Sequence, residues 1–485
     1  MSSSENTRPK RSRTPDSPVF KEFMGSHWAD NTSATPPLTQ MAKQASLRRK
    51  KLQGAFGADT LVVPAGSPKQ RSNDTDYPYR PHTAFTYLTG WGADTVPGSV
   101  LLIRGDEPPT LFVLGPAGRD SDEFYANAAI GEFWTGPRPS LDDVQAMLGI
   151  TVRSLGDWPE LTTLGAAVRI IREADDALTR EVDDSRGGDG SGADEDFAQY
   201  VSEMRLIKDS DEVDELREAV ASTHRGFNDI LAAIPEATLQ ERGERLIEGA
   251  FHTRARLEGN DVGYGTIAAS GSHACILHWV TNDGPVSAGD LLLVDAGVER
   301  DSLYTADITR TIPVNGHFSD VQRQVYEAVL AAADRAIAHV RPGVTFRSVH
   351  DEAMVAISEA LDSWGFLPVS AEASRGPEAG YHRRYMIHGT SHHLGLDVHD
   401  CAQARREMYM DGVLEPGMVF TVEPGLYFQP DDLTVPAAWR GIGVRIEDNI
   451  LVTESGAENL SADIPRTTQA VEAWWRDVVG SLPGH

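Results

Sequence analysis

The stretch DLLLVDAGVERDSLYTADITRTIPV (290–314) decides how this chain is read. Two runs of strand-forming residues flank the polar segment Glu299–Ser302, and the spacing predicts an antiparallel hairpin. Asp295 and Asp307 lie at nearly equal distances from its centre at residue 301. Facing residues in such a pair have Cβ atoms ~5 Å apart. Either aspartate alone reads as a turn cap. Two carboxylates side by side within apolar strands are unfavourable unless a cation separates them, so the pair reads as a cation site.

Three further segments carry matching chemistry. MIHGTSHHLGLDVHD (386–400) holds His388, His392, His393 and His399, four of the chain's 15 histidines. His388 and His392 have the spacing of a zinc-binding helix. Gly389, Thr390, Ser391 and Gly395 weaken a helix, and a loop-and-strand setting is expected instead. Imidazole serves there as a ligand or a proton shuttle. GMVFTVEPGLYF (417–428) runs an apolar strand into Glu423 before the Pro424-Gly425 turn. GIGVRIEDNILVT (441–453) alternates with period two, placing Arg445 and Glu447 on one face and Val444 and Ile446 on the other. Each glutamate by itself reads as a surface or Arg-paired carboxylate. Together, Asp295, Asp307, Glu423 and Glu447 with one imidazole carry a formal charge of −4, which two divalent cations neutralise. Four hard oxygen donors and one nitrogen suit Mn²⁺ best and admit Co²⁺ or Zn²⁺.

Composition sets the frame. The chain has 485 residues, 72 acidic against 44 basic, a net charge of −28 and 40% apolar residues. That length exceeds the ~250–300 residues of a single core, so two domains are expected. The charge argues against coating nucleic acid or an anionic membrane. The two cysteines, Cys275 and Cys401, exclude a disulfide scaffold or a thiolate zinc site and fit a reducing compartment. No apolar run reaches the ~18–20 residues of a membrane span. The start, MSSSENTRPKRSRTPDSP, lacks the apolar core of a secretory signal. A cytoplasmic protein is expected.

Residues 1–35 are rich in Ser, Arg, Pro and Thr and read as a disordered tail, with Arg8, Lys10, Arg11 and Arg13 solvated rather than forming a nucleic-acid arm. Residues 36–198 read as an N-terminal α/β domain. It contains a strand pair in 99–115, turning at Gly105-Asp106, and helical spacing over 161–182. The Gly- and Asp-rich segment 183–196 reads as a flexible linker. Residues 199–485 form the second domain.

The order Asp–Asp–His–Glu–Glu in these contexts resembles the pita-bread metallopeptidases, and most of all the Xaa-Pro aminopeptidases (aminopeptidase P). The matching stretches are CILHWVTND (275–283), DAG (295–297) with ADITRTIPVNGHF (306–318), HGTSHHLGLDVHD (388–400), TVEPGLYF (421–428) and GIGVRIEDNILVT (441–453). DYPYRPHTAFTYLTG (76–90) resembles the N-terminal domain of the same family, so the likeness covers about 50–480. It implies an α/β chain: a creatinase-like N-terminal domain followed by an α+β pita-bread catalytic domain.

It also implies roles. Asp295 would be a bidentate ligand of one metal. Asp307 and Glu447 would bridge two ions, and His392 and Glu423 would complete the second. His278 and His399 would hold substrate and stabilise the transition state, with His388 a further pocket histidine. Arg445 would orient the ligands, and Glu423 would shuttle the proton. The implied reaction releases the N-terminal residue of a peptide with penultimate proline, through attack by a metal-bridging hydroxide. An Xaa-Pro dipeptidase shares all five ligands. A non-catalytic binding module and a metal-free hydrolase of small guanidino compounds use the same fold without the full set. Relatives are often dimers or tetramers. His393, where bacterial relatives often carry an aromatic residue, and the stretch after Asp400 depart from the pattern, which bears on pocket shape.

Overall fold

The computed structural model describes residues 15, 17–29, 34–159, 164 and 167–482. The chain divides into two compact units, Met1–Val201 and Ser202–His485. The division falls inside a continuous helix, Ser191–Met204.

The first unit is built on a five-stranded mixed sheet. Its order is Thr151–Ser154, Thr110–Val113, Val100–Arg104, Thr60–Pro64 and Val168–Ile170, with parallel pairs at both ends. The expected hairpin in 99–115 is there: Val100 pairs with Phe112 and Leu102 with Thr110. Val62, Leu102, Phe112 and Ile170 pack one face of the sheet into a core.

Three expectations for this unit change. Part of the tail is ordered, because Ser17 caps the helix Pro18–Gly25 with Pro18 in its first turn. Phe20 then packs edge-on against Tyr125, and Trp28 against Phe124. The arginine- and lysine-bearing start of the tail lies outside the described residues. In 161–182, where helix was expected throughout, Val168–Ile170 is a strand, Arg172–Ala174 is a 3-10 turn and α-helix begins only at Asp176; residues 161–163, 165 and 166 lie outside the described residues. The 183–196 segment is not a linker. The helix Asp176–Arg186 ends there at Gly187, held at φ 76°, and the helix Ser191–Met204 begins. Two of its acidic residues are countercharges rather than solvated spacers. Asp183 and Asp194 both pair with Arg172 and Arg186. Low apolar content misled because the segment is held by ion pairs.

The second unit surrounds small antiparallel sheets with long amphipathic helices. Asp209 and Glu212 form a capping box at the start of Ser210–Ala237, whose stripe of Leu216, Val220, Phe227, Leu231 and Ile234 is buried. That helix packs along Gly243–Glu258, and Asp320–His339 packs along Phe346–Ser363. Between the helices, Leu291–Ala296 pairs on one side with Ile308–Pro313 and on the other with Ile267–Ser270. Val419–Val422 pairs with Asp448–Val452, and Gly425–Tyr427 with Gly443–Arg445.

The hairpin of the deciding stretch forms with a register two residues from that expected. Asp295 faces Thr309, not Asp307. Asp307 lies just beyond the last paired position, diagonal to Asp295. A two-residue shift leaves both carboxylates on one face, because side chains alternate with period two. The same register runs on to the loop, where the Ala306 N–H donates to the Val298 carbonyl, Glu299 bridges Thr305 and the Arg300 N–H donates to the Tyr304 carbonyl, so the turn is centred on Ser302; Val298–Glu299 pairs with Asp261–Val262 as well. Gly297 permits this: a Cβ there would lie 1.7 Å from the Ala306 carbonyl oxygen. Gly297→Ala should therefore destabilise the protein by on the order of 3 kcal/mol, read as a lowered urea midpoint; an unchanged midpoint would show that the strands can part at no cost.

Candidate metal centre

Alternation along the hairpin gives the site its first wall. Asp307, Thr309 and Thr311 point one way, while Ile308 and Ile312 point into the core. Thr309 Oγ1 donates to Glu447 Oε2 at 2.6 Å, joining the hairpin to the segment that enters the Asp448–Val452 strand. Thr309 also accepts from Arg445 Nε at 3.1 Å, and Arg445 Nη2 donates to Asp295 Oδ2 at 2.6 Å. One guanidinium thus sets the rotamer of Asp295 and, through Thr309, that of Glu447.

The second wall is the histidine segment, which is loop and isolated bridge, as glycine and β-branched content predicted. The backbone N–H of Thr421 donates to the His392 carbonyl, and that of Glu423 to the Thr390 carbonyl, so loop and strand are zipped together. His392 Nε2 lies 3.2 Å from Asp307 Oδ2 and 3.5 Å from Glu423 Oε1. Asp307, His392 and Glu447 each offer a ligand atom within 4.8 Å of the others. The His399 ring lies 4.2 Å from that of His392. His388 Nε2 is 2.7 Å from the Tyr427 hydroxyl, which also accepts from Arg445.

All nine residues singled out in the sequence line one cavity of about 590 Å³: His278, Asp295, Asp307, His388, His392, His399, Glu423, Arg445 and Glu447. Tyr264 joins them. Its hydroxyl lies 2.7 Å from Asp295 Oδ1 and also contacts Asp307 Oδ1. A hydroxyl has one proton, so it cannot donate to both carboxylates at once. Nothing in the local sequence, NDVGYGT (260–266), marks this tyrosine. Thr309 was more legible, as a polar residue two places after Asp307 on the same strand face.

The electrostatics show what the donor set requires. Among the described residues, Arg445 is the sole lysine or arginine lining the cavity, against four carboxylates. Burial pushes Glu423 up to about 7. Burial and then the neighbouring Asp295 raise Asp307, and burial and then Asp307 raise Glu447 well above the ordinary range. Burial opposes a charge on His392, yet its contacts with Asp307 and Glu423 carry it to about 9. Protons are thus drawn into a cluster of hard oxygen donors whose charge the chain does not balance. Divalent cations fit there.

The departure at His393 has a simple account. Its ring is fully buried, stacks on Phe346 at 4.8 Å and meets Tyr409 edge-on at 4.7 Å. Neither ring nitrogen has a hydrogen-bond partner among the described residues, and burial lowers it to about 3. It packs as a neutral aromatic and does not line the cavity, so it leaves the pocket's shape untouched.

Residues 214–454 match the model of metallopeptidase family M24, and residues 45–167 that of the aminopeptidase P N-terminal domain. Xaa-Pro aminopeptidase 2 of Streptomyces coelicolor is 47% identical over 466 residues, covering 94% of this chain and 96% of its own. The chain belongs to the Xaa-Pro aminopeptidases. Xaa-Pro aminopeptidase of Escherichia coli is 34% identical over 90% of this chain and 98% of its own, and human Xaa-Pro aminopeptidase 3 is 30% identical over 93% and 89%. The solved structure of an Escherichia coli aminopeptidase P variant in complex with substrate superposes with a TM-score of 0.77 at 29% identity, covering 92% of this chain and all of that one. As an Xaa-Pro aminopeptidase it is a metal-dependent aminopeptidase with a creatinase-like α/β domain followed by the pita-bread domain.

A linkage follows from the raised carboxylates. Without metal, the raised carboxylates and His392 share protons that a cation must displace, so affinity should weaken as pH falls below about 7 and tighten above it. Calorimetric Mn²⁺ titrations in buffers of different ionisation enthalpy should register proton release at pH 7. Identical heats in all buffers would contradict the proton-loaded site.

Proposed function

We propose that this Xaa-Pro aminopeptidase holds two divalent cations on Asp295, Asp307, His392, Glu423 and Glu447, with Mn²⁺ the native metal and Co²⁺ or Zn²⁺ able to replace it. The observation that carries the reading is the convergence of these five donors, from separate segments, on one buried cavity. Asp295 would hold one ion, His392 with Glu423 the other, and Asp307 and Glu447 would be shared between them. When bound, such ions polarise a carbonyl and lower the pKa of water from about 15.7 towards ~7.

The chain's own groups do the rest. Glu423, on the cavity wall, accepts the nucleophile's proton and passes it to the leaving nitrogen. His278 and His399, on the cavity wall, hold the substrate and donate to the oxyanion as it forms. His388, tied to Tyr427, shapes the pocket from the other side. Arg445 keeps Asp295 in its ligating rotamer. Leu277 and Val280 give the cavity an apolar wall suited to a pyrrolidine ring. A peptide with penultimate proline lacks the N–H that other peptidases grip, so ring recognition replaces that bond. The dipeptidase alternative shares the ligands, but the relatives described above, matched along nearly the whole chain, are Xaa-Pro aminopeptidases, which does not favour it.

Cys275 and Cys401 are both buried and unpaired, which supports a reducing, cytoplasmic setting. No helix among the described residues is long and apolar enough to cross a membrane. We take the active form to be a homo-oligomer, a dimer or tetramer, which light scattering tests.

With Mn²⁺, the protein should release the first residue from an Xaa-Pro-Yaa tripeptide and leave its N-acetylated form intact; equal rates would refute recognition of the free amine. Asp307→Asn should lower kcat by at least ~100-fold, since loss of a bridging ligand exceeds the ~10–100-fold effects of supporting residues. Substantial residual turnover would argue against the bridging position.

A further inference from the structure

Glu244 belongs to none of the segments that supply the donor set. It sits in the first turn of the helix Gly243–Glu258 and is fully buried. Its carboxylate accepts four hydrogen bonds, all from one short stretch. Oε1 accepts from the Ser270 backbone N–H at 2.8 Å and from His273 Nδ1 at 2.8 Å. Oε2 accepts from Trp279 Nε1 at 2.9 Å and from the Gly284 backbone N–H at 2.7 Å. The Glu244 N–H returns a bond to the Gly284 carbonyl at 3.1 Å.

The tethered stretch carries His278. Leu277, His278 and Val280 face the catalytic cavity, whereas His273 and Trp279 turn back to Glu244 and stack on each other with ring centres 3.9 Å apart. Asn282, buried at φ 48°, fastens the stretch to the neighbouring strand by accepting from the Ala268 N–H and donating to the Thr266 carbonyl. Within 271–284 the backbone makes few bonds to itself, so side-chain tethers set its course. Bonds to an ionised acceptor are the stronger kind. A carboxylate can satisfy four donors, whereas an amide turns its NH₂ against two of them.

We propose that Glu244 is a positioning residue for catalysis: through Trp279 and His273 it holds the loop that sets His278 against the substrate. This rests on the substrate-contacting role given to His278 above.

A double-mutant cycle on the full-length, Mn²⁺-loaded protein tests it, using an Xaa-Pro-Yaa tripeptide. Glu244→Gln should lower kcat/KM by ~10–100-fold while elemental analysis finds wild-type metal content. In the His278→Ala background the same change should cost less than ~2-fold, because the group it positions is gone. Equal losses in both backgrounds, wild-type activity of Glu244→Gln, or loss of metal would each overturn the proposal. Should His278→Ala alone keep the wild-type rate, the role of His278 fails first and the proposal with it. Should Glu244→Gln not fold, Trp279→Phe keeps the ring and removes one donor; it should cost ~3–10-fold in the wild-type background and nothing beside His278→Ala. No loss with Trp279→Phe would overturn the tether.

Discussion

Four carboxylates facing one another in a buried cavity repel, and their mutual repulsion governs the second unit. Among the described residues Arg445 supplies the cavity's single fixed positive charge, so the chain cannot neutralise Asp295, Asp307, Glu423 and Glu447 by itself. Protonation offsets the deficit in one state and divalent ions in the other. The preference for ions over protons is what makes this a metal-dependent enzyme.

Such a cluster stays together only on a stiff frame. Arg310, fully buried, donates to the carbonyls of Thr309 and Glu447 and pairs with Asp448 at 2.8 Å, which also pairs with Arg466. Both partners of the cavity's Thr309–Glu447 bond are thus fixed from behind. On the histidine side, Asp400 is held by Arg205 at 3.0 Å and Lys208 at 2.9 Å, immediately beside His399. Removing one member of such a buried pair strands a charge, typically at a cost of ~3–5 kcal/mol. The frame therefore resists the splaying that the ligand charges favour.

Much of this was legible in the residues. The ligand positions stood out because each is an acid or imidazole set in an apolar strand or a glycine-rich turn, contexts where such groups are costly without a purpose. The hairpin was legible, but its register was not: it goes with a turn centred on Ser302 and a close approach at Gly297, and neither leaves a trace in hydrophobic alternation. Tyr264 was hidden because a lone tyrosine between glycines has no periodic partner. Glu244, Arg310 and Asp400 were hidden because their partners lie 26 to 195 residues away in sequence. The 183–196 segment misled for a different reason: Asp183 and Asp194 have Arg186 close by in sequence, but low apolar content outweighed that ion-pair signal.

On the function proposed above, a pair of dications, and not a shell of protons, balances the charge at this centre. Anomalous diffraction at the manganese edge from crystals grown with Mn²⁺ tests it most directly. Two peaks flanked by Asp307 and Glu447, one also against Asp295 and the other against His392 and Glu423, are the predicted result. A cavity with no anomalous signal, or with manganese bound only elsewhere on the molecule, would contradict it.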